Sequence, residues 1–469
     1  MPLFFLSYYI VDNKFKNLCI FLYSLGFYFF ACFDHPEYFL IFIFSLMVNY
    51  IIAIQIEIVD YEKRPLLLVV ALIYNFSILF VFKYFDFFID IIHSLNSGSD
   101  IKKLNLVLPI GISFYTFQIV SYVVDVYNKK INAEVNFVNF ATYVSMFPQL
   151  IAGPIVRYSD LMGQIKSERD VKIDDIINGF TIFVFGLSSK VIVANMLSLV
   201  SVDLDKYGLE TISTLTAWGV AISSSMQMYF DFFGYSLMAI GLGKMMGFDI
   251  VENFKDPFLS RSVEEYWRRW HISLSTWFRD YLLYPLQMSA PIRSLRKFLK
   301  STFDFKTSNL VVNLIAIFVV WIATGLWHGA NYNFILWGLY FYIFLSIEQI
   351  FLSKILKRFE AFSHIYLIIV IIISFVIFFN EDLSSIKLML KKMFLIDSNL
   401  IGKDFFNIII NNIKQIILGI VCVLRLPNII YDRIKKYKIL RVLIVVLLLS
   451  LSIYIIYRGY NDPFMYFRF

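Results

Sequence analysis

Five histidines occur in this sequence, and two of them sit where an imidazole could do chemistry. His328 stands in Thr324-Gly325-Leu326-Trp327-His328-Gly329-Ala330, at the end of an apolar run and between glycines that let helices or a substrate come close. His271 stands in Glu265-Tyr266-Trp267-Arg268-Arg269-Trp270-His271-Ile272-Ser273-Leu274-Ser275, a stretch dense in aromatic and basic residues. A neutral imidazole can take a proton from an attacking hydroxyl and return it to a leaving thiolate, which is general acid–base catalysis of acyl transfer. The structural alternatives are a core histidine satisfied by a neighbouring carbonyl for His328, and an aromatic anchor at headgroup level for His271. His35, His93 and His364 fall near the ends of apolar runs, where a surface position is expected.

Two further charges interrupt apolar runs. Asp231 lies in Tyr229-Phe230-Asp231-Phe232-Phe233-Gly234-Tyr235-Ser236 and Lys190 in Gly186-Leu187-Ser188-Ser189-Lys190-Val191. An ionisable group at membrane depth is costly, so each must be paired, snorkelled or lining a wet chamber. No histidine has a metal-ligand spacing or a Cys or carboxylate pair beside it, so no metal is expected. Nor is there a G-x-S-x-G elbow or a Walker loop. Cys19, Cys32 and Cys422 show no paired spacing and read as packing residues.

The elements that must hold these residues are set by composition. Of 469 residues 59% are hydrophobic, 19% aromatic and only 16% charged, and the mean hydropathy is +0.70. An ordinary globular domain carries about a quarter charged residues, so the solvent of this chain is lipid. The net charge of +7 comes from short basic clusters between apolar runs, as orientation in a bilayer requires, and no nucleic acid is expected as partner. The run Leu3 to Ile10 has no basic residue ahead of it and no small-residue cleavage site before Asp12, so no cleaved signal peptide is expected.

A span needs about 20 mainly apolar residues to cross roughly 30 Å of hydrocarbon and must satisfy its own backbone, which leaves an all-α integral membrane fold. Runs of that kind cover Leu18 to Phe33, Tyr38 to Ile56, Leu66 to Phe88, Leu106 to Tyr127, Phe137 to Ile151 and Ile176 to Val200. They continue at Leu215 to Met238, Leu310 to Leu326, Phe334 to Leu352, Ile365 to Phe379, Ile408 to Leu424 and Ile439 to Tyr457. About a dozen spanning or re-entrant helices are therefore expected, in a single polytopic domain over residues 1–469. Between Lys255 and Lys306 the apolar density falls and ten basic residues gather with Tyr266, Trp267, Trp270, Trp277, Tyr281 and Tyr284. The positive-inside rule places this segment in the cytoplasm, as an interfacial platform of short helices.

The order of longer motifs resembles the membrane-bound O-acyltransferases, in their bacterial branch of glycan O-acetylation proteins and the D-alanyl-lipoteichoic acid exporter. The matching text is Leu108-Pro109-Ile110-Gly111-Ile112-Ser113-Phe114-Tyr115-Thr116-Phe117-Gln118, then Ser121 to Tyr127, Phe147-Pro148-Gln149-Leu150-Ile151-Ala152-Gly153-Pro154-Ile155-Val156-Arg157, the Asp231 segment, Tyr266 to Asp280 and Gly325 to Ala330. The core of the resemblance runs over residues 108–337, and the ending Pro463 to Phe469 is also similar to the acetylating members. Phe233, Leu237, Gln287, Met288, Ser189 and Asn195 depart from the family pattern.

The resemblance implies a barrel of tilted helices around a central tunnel, with His328 catalytic and His271 the second active-site histidine. Asp231, Trp327, Gly329, Tyr235 and Ser236 become candidates for the substrate tunnel. It also implies acetyl-CoA as a cytoplasmic donor with no bound cofactor, a multi-pass protein of the inner membrane, a secreted or periplasmic serine esterase-like partner, and a polysaccharide acceptor such as alginate or peptidoglycan. The alternatives are D-alanyl transfer to teichoic acid, against which the ending and the larger size speak, a non-catalytic transporter or flippase, and a structural scaffold. A transporter would be expected to show paired half-repeats, which this sequence lacks. A scaffold leaves both histidine motifs without a cause.

Overall fold

In a computed structural model, described for residues 1–96, 100–151 and 153–460, the chain is helical, with no strand among the described residues. Ala152 and the ending Pro463 to Phe469 lie outside the described residues. Among the described residues seven helices are long and apolar enough to cross a membrane: Pro36–Ile58, Arg64–Leu95, Ile173–Tyr207, Phe305–His328, Tyr332–Arg358, Glu360–Phe379 and Lys438–Tyr457. An eighth is possible if Ile413–Val423 and Leu426–Ile434, bent by 59° at their junction, count as one broken span. The protein is thus a polytopic helical membrane protein, and several of the dozen spanning or re-entrant runs expected form shorter or interior helices.

The difference has physical causes. The Lys16–Ala31 and Ile112–Tyr127 helices have 16 residues each, about 24 Å at 1.5 Å per residue, too short for the hydrocarbon layer. The run from Phe137 to Ile151 breaks at Met146 into two short helices, because Pro148 can sit only at a helix start. The run Leu215 to Met238 falls in the Thr214–Met245 helix, which has 32 residues but buries Thr214, Thr216, Ser223, Ser225, Gln227, Asp231 and Ser236 and so lacks the apolarity of a lipid-facing span.

The chain divides into two compact units, Met1–Phe180 with Ala239–Val251, and Thr181–Met238 with Glu252–Phe469. The first is built on the Ile112–Tyr127 helix, in which every side chain except Val124 and Tyr127 is buried. Its N-terminus shows why two of the sequence motifs belong together. Gly111 has φ +74°, and a Cβ there would lie 2.5 Å from the carbonyl oxygen of Leu150, so the Leu108 motif fits under the Phe147 motif only with glycine at this point.

In the second unit, backbone contact between helices again depends on glycine. A Cβ on Gly186 would meet the carbonyl oxygen of Gly234 at 2.5 Å, and one on Gly234 that of Gly186 at 2.6 Å. Gly325 and Gly338 are seated in the same way, each against the backbone of the other's helix, and small residues are what permit such close crossings. Phe305–His328 and Tyr332–Ile347 are thereby fixed in register, which sets His328 beside Trp337. Gln287, where the resemblance expects glycine, donates to Asn313 at 2.9 Å, and Asn313 donates to Gln349 at 2.9 Å.

The segment 255–306 does form short helices: Val263–Arg269, Ile272–Phe278, Tyr284–Met288 and Ala290–Thr302. Arg268, Arg293, Lys297 and Lys300 stay exposed while Ile292 and Leu299 pack on Val312. The aromatic residues depart from the expectation. Tyr266, Trp267, Trp270 and Trp277 are buried in the protein rather than presented at headgroup level. Tyr266 and Trp267 lie on the inner face of the Val263–Arg269 helix, opposite the exposed Arg268, while Trp270 follows its end in extended backbone and Trp277 belongs to the next helix.

Candidate functional site

His271 and His328 line one small cavity in the second unit, together with Met228, Phe232, Tyr266, Trp267, Trp270, Trp337, Phe341, Ser374, Phe375 and Phe378. Its free volume is about 20 Å³, room for one water-sized group. The walls are aromatic. The His328 ring lies 5.0 Å from Trp337 and 5.2 Å from Phe378 between centroids, in edge-on contacts, and His271 meets Phe232 at 4.7 Å. Trp327 packs against both imidazoles, at 5.9 Å from His271 and 5.0 Å from His328.

The helix that carries Trp267 starts where Ser262 accepts a hydrogen bond from the Glu265 N–H at 3.1 Å. The buried carboxylate of Glu348 holds the same end, accepting from the N–H groups of Val263 at 2.7 Å and Glu264 at 3.1 Å. A negative group suits the exposed N–H groups of a helix start. After Trp270 the chain turns through His271 at φ +43°, a left-handed conformation uncommon outside glycine. Backbone bonds clamp the turn on both sides, Lys255 N–H to Arg269 at 2.9 Å and Ile272 N–H to Asn253 at 2.9 Å.

Asn253 then fixes the imidazole itself. Its Oδ1 lies 3.1 Å from His271 Nδ1 and also accepts from the Ser273 N–H at 3.2 Å and the Ser273 hydroxyl at 2.8 Å. A backbone N–H can only donate, so the Asn253 atom is the carbonyl oxygen and Nδ1 must carry the proton. In the neutral ring Nε2 is then an acceptor, and it has no hydrogen-bond partner among the described residues. His271 is 1% exposed. Burial lowers its pKa from the usual imidazole range to about 3, so the ring stays neutral throughout the physiological range.

This arrangement gives a test. Asn253→Asp keeps an oxygen for Nδ1–H and Ser273 but puts a negative charge beside the ring, which favours the imidazolium and raises the His271 pKa. Below the raised pKa Nε2 becomes a donor, so activity is expected to fall as pH drops through it and to recover on the alkaline side. A pH–rate profile superimposable on that of the wild type would show that Asn253 does not act through His271.

Of the other sequence candidates, Trp327 is in the site by its contacts with both imidazoles. Gly329 follows His328 directly, and a Cβ there would run into the Phe334 ring, so glycine is required by packing. Ser236 is buried behind Asn253 and accepts from its Nδ2 at 3.3 Å. Tyr235 is half-buried and, like Ser236, is not part of the cavity wall. Asp231 is also outside the wall. It forms an ion pair with Lys190 at 2.7 Å, beside the Gly186–Gly234 crossing. His35 pairs with Glu37, and His93 lies 2.9 Å from the carbonyl of Ile101.

The sequence reading missed Asn253, Glu348, Trp337 and the far wall of the cavity. Asn253 stands 18 positions before His271, with no local pattern to link the two. Ser374, Phe375 and Phe378 come from the Glu360–Phe379 helix, whose sequence reads as an ordinary lipid-facing span.

The family model described as MBOAT, membrane-bound O-acyltransferase family, matches residues 4–389. The chain is 36% identical to the probable alginate O-acetylase AlgI of Pseudomonas putida over 391 residues, which covers 82% of this chain and 76% of that one. It is 34% identical to the peptidoglycan O-acetyltransferase of Helicobacter pylori over 388 residues, 74% of this chain and 68% of the relative. With the teichoic acid D-alanyltransferase of Bacillus subtilis it shares 26% over 252 residues, 53% of this chain and 60% of the relative.

Proposed function

The chain belongs to the membrane-bound O-acyltransferase family and is an acyltransferase, and on that premise we propose that it passes acetyl from cytoplasmic acetyl-CoA through the inner membrane for O-acetylation of an extracytoplasmic polysaccharide. The observation that carries the chemistry is the pair His271 and His328 on one aromatic-walled cavity. Acetyl rather than D-alanyl is favoured because the O-acetylating relatives align over more of the chain, and at higher identity, than the D-alanyl one. The basic, exposed side chains of the 255–306 segment favour donor entry from the cytoplasm. A secreted serine esterase-like protein is the partner expected to pass acetyl on to the glycan.

The aromatic walls part to admit an acetyl thioester end and an acceptor hydroxyl between the two imidazoles, while the nucleotide part of the donor stays outside. His328 takes the hydroxyl proton as the acceptor oxygen attacks the carbonyl carbon. A C–O bond forms, the C–S bond breaks, and the leaving thiolate receives the proton from His328. A good general base has a pKa near the working pH, which the buried His271 lacks. His271 therefore serves as a neutral acceptor at Nε2 that orients the incoming hydroxyl.

The test is base-labile acetate on purified envelope glycans from a strain lacking this protein. Return of acetate on complementation with the wild-type gene is the expected result. Return of base-labile D-alanine instead would establish the teichoic acid reading, and no change in either ester would overturn the proposed donor and acceptor.

A further inference from the structure

We propose that the indole N–H groups of Trp337 and Trp267 bind the carbonyl oxygen of the acyl group and stabilise the oxyanion formed from it; this rests on the acyl-transfer reading above. Both rings line the cavity shared by His271 and His328, and both are buried, at 4% and 8% exposure. Neither Nε1 has a hydrogen-bond partner among the described residues. An indole nitrogen can only donate, and leaving a buried donor unmet costs about 1–3 kcal/mol. Two such donors on the wall of one reactive cavity point to an acceptor supplied by the ligand.

The rings are held rigidly by their neighbours, and Trp337 stands beside the base. Trp337 stands 5.0 Å from His328 between centroids, and Trp267 stands 5.6 Å from Trp337. Trp321 and Phe341 wedge Trp267 at 4.7 and 5.0 Å, while Phe341 and Phe378 hold Trp337 at 5.0 and 5.4 Å. The Gly325–Gly338 crossing sets the helix of Trp337 against the helix that ends in His328. The Ser374 hydroxyl, also on the wall, donates to the Ile371 carbonyl at 2.7 Å.

The charge these donors meet follows from the reaction. As the hydroxyl oxygen bonds to the carbonyl carbon, the C=O π pair moves onto oxygen, and it returns when the C–S bond breaks. Fixed donors in a dry site stabilise that transient charge without reorganising. The competing possibility is that each N–H rests on the face of a neighbouring ring, a weak contact that would contribute to stability alone.

The experiment replaces Trp337, and separately Trp267, by 3-benzothienylalanine, which keeps the bicyclic ring and exchanges N–H for sulfur, and by phenylalanine. Each full-chain variant is assayed for thiol release from acetyl-CoA in envelope vesicles of its own host, which carry the secreted partner and the glycan, beside wild type and His328→Ala, and the melting temperature of the purified protein is followed. For the benzothienyl variants kcat is expected to fall about 10²–10³-fold per lost donor, with KM changed only a few-fold and the melting temperature unchanged. Retention of wild-type kcat, or a loss confined to KM or to stability, overturns the oxyanion assignment. A wild type that releases no thiol removes the acetyl-transfer reading itself, and the assignment with it.

Discussion

Replacing His328 with alanine is expected to lower the acyl-transfer rate by about 10³-fold, within the 10²–10⁴-fold contribution usual for a positioned general acid–base group, while the protein stays folded. His328 is the last residue of the Phe305–His328 helix, and its ring meets Trp327, Trp337 and Phe378. The helix is fixed by the Gly325–Gly338 crossing one turn earlier, so removing the imidazole widens the cavity without dismantling its frame. His328→Gln is the sharper variant, since it fills the space and can hydrogen-bond but cannot take up a proton near neutrality. Both variants should show the loss in kcat, measured as acetate transferred per folded molecule from acetyl-CoA. Wild-type turnover in His328→Gln would make the residue a packing histidine. His271→Ala should cost less, because a neutral ring that orients a hydroxyl contributes position rather than proton transfer.

How much of this was legible in the sequence depends on whether a feature is local. The lipid-soluble, helical character is written in composition, and His328 and His271 stand out because each is an ionisable residue in a distinctive aromatic motif. Their meeting at one cavity, across 57 positions of chain, follows from the resemblance and from the packing of the Phe305–His328 helix, not from spacing. Trp267 and Trp270 show the limit of compositional reasoning. Tryptophans among arginines match a headgroup belt, yet Trp267 near the end of its helix and Trp270 in the extended residue after it both turn into the protein, and burial wins. Asn253 was invisible because its role lies in hydrogen bonds to residues distant in sequence, the imidazole of His271 and Ser273. The Thr214–Met245 helix was legible as helix but not as an interior one, since its serines and threonines can bond back to their own helix, as Ser223 and Ser225 do, and so tolerate an apolar setting. Counting hydrophobic runs then overstates the number of spans.

Asp231 and Lys190 give the second large effect, and here it should fall on stability. The two side chains lie 2.7 Å apart, on residues 1% and 5% exposed, and each is one turn from a glycine of the Gly186–Gly234 crossing. Because the helix backbones touch there, a short carboxylate on one helix reaches a lysine that would otherwise have to extend toward water. Removing one partner of a buried pair strands the other charge and costs about 3–5 kcal/mol, whereas replacing both by apolar groups of similar size is often nearly neutral. Asp231→Leu and Lys190→Met are each expected to lower the melting temperature and the yield of monodisperse protein strongly, and the double variant to recover most of the loss. Turnover per folded molecule should stay close to wild type in the double variant, since neither residue belongs to the cavity wall. The opposite pattern, an intact melting temperature with lost turnover in Asp231→Leu, would return Asp231 to the reaction chamber and mean that the ion pair opens during the catalytic cycle.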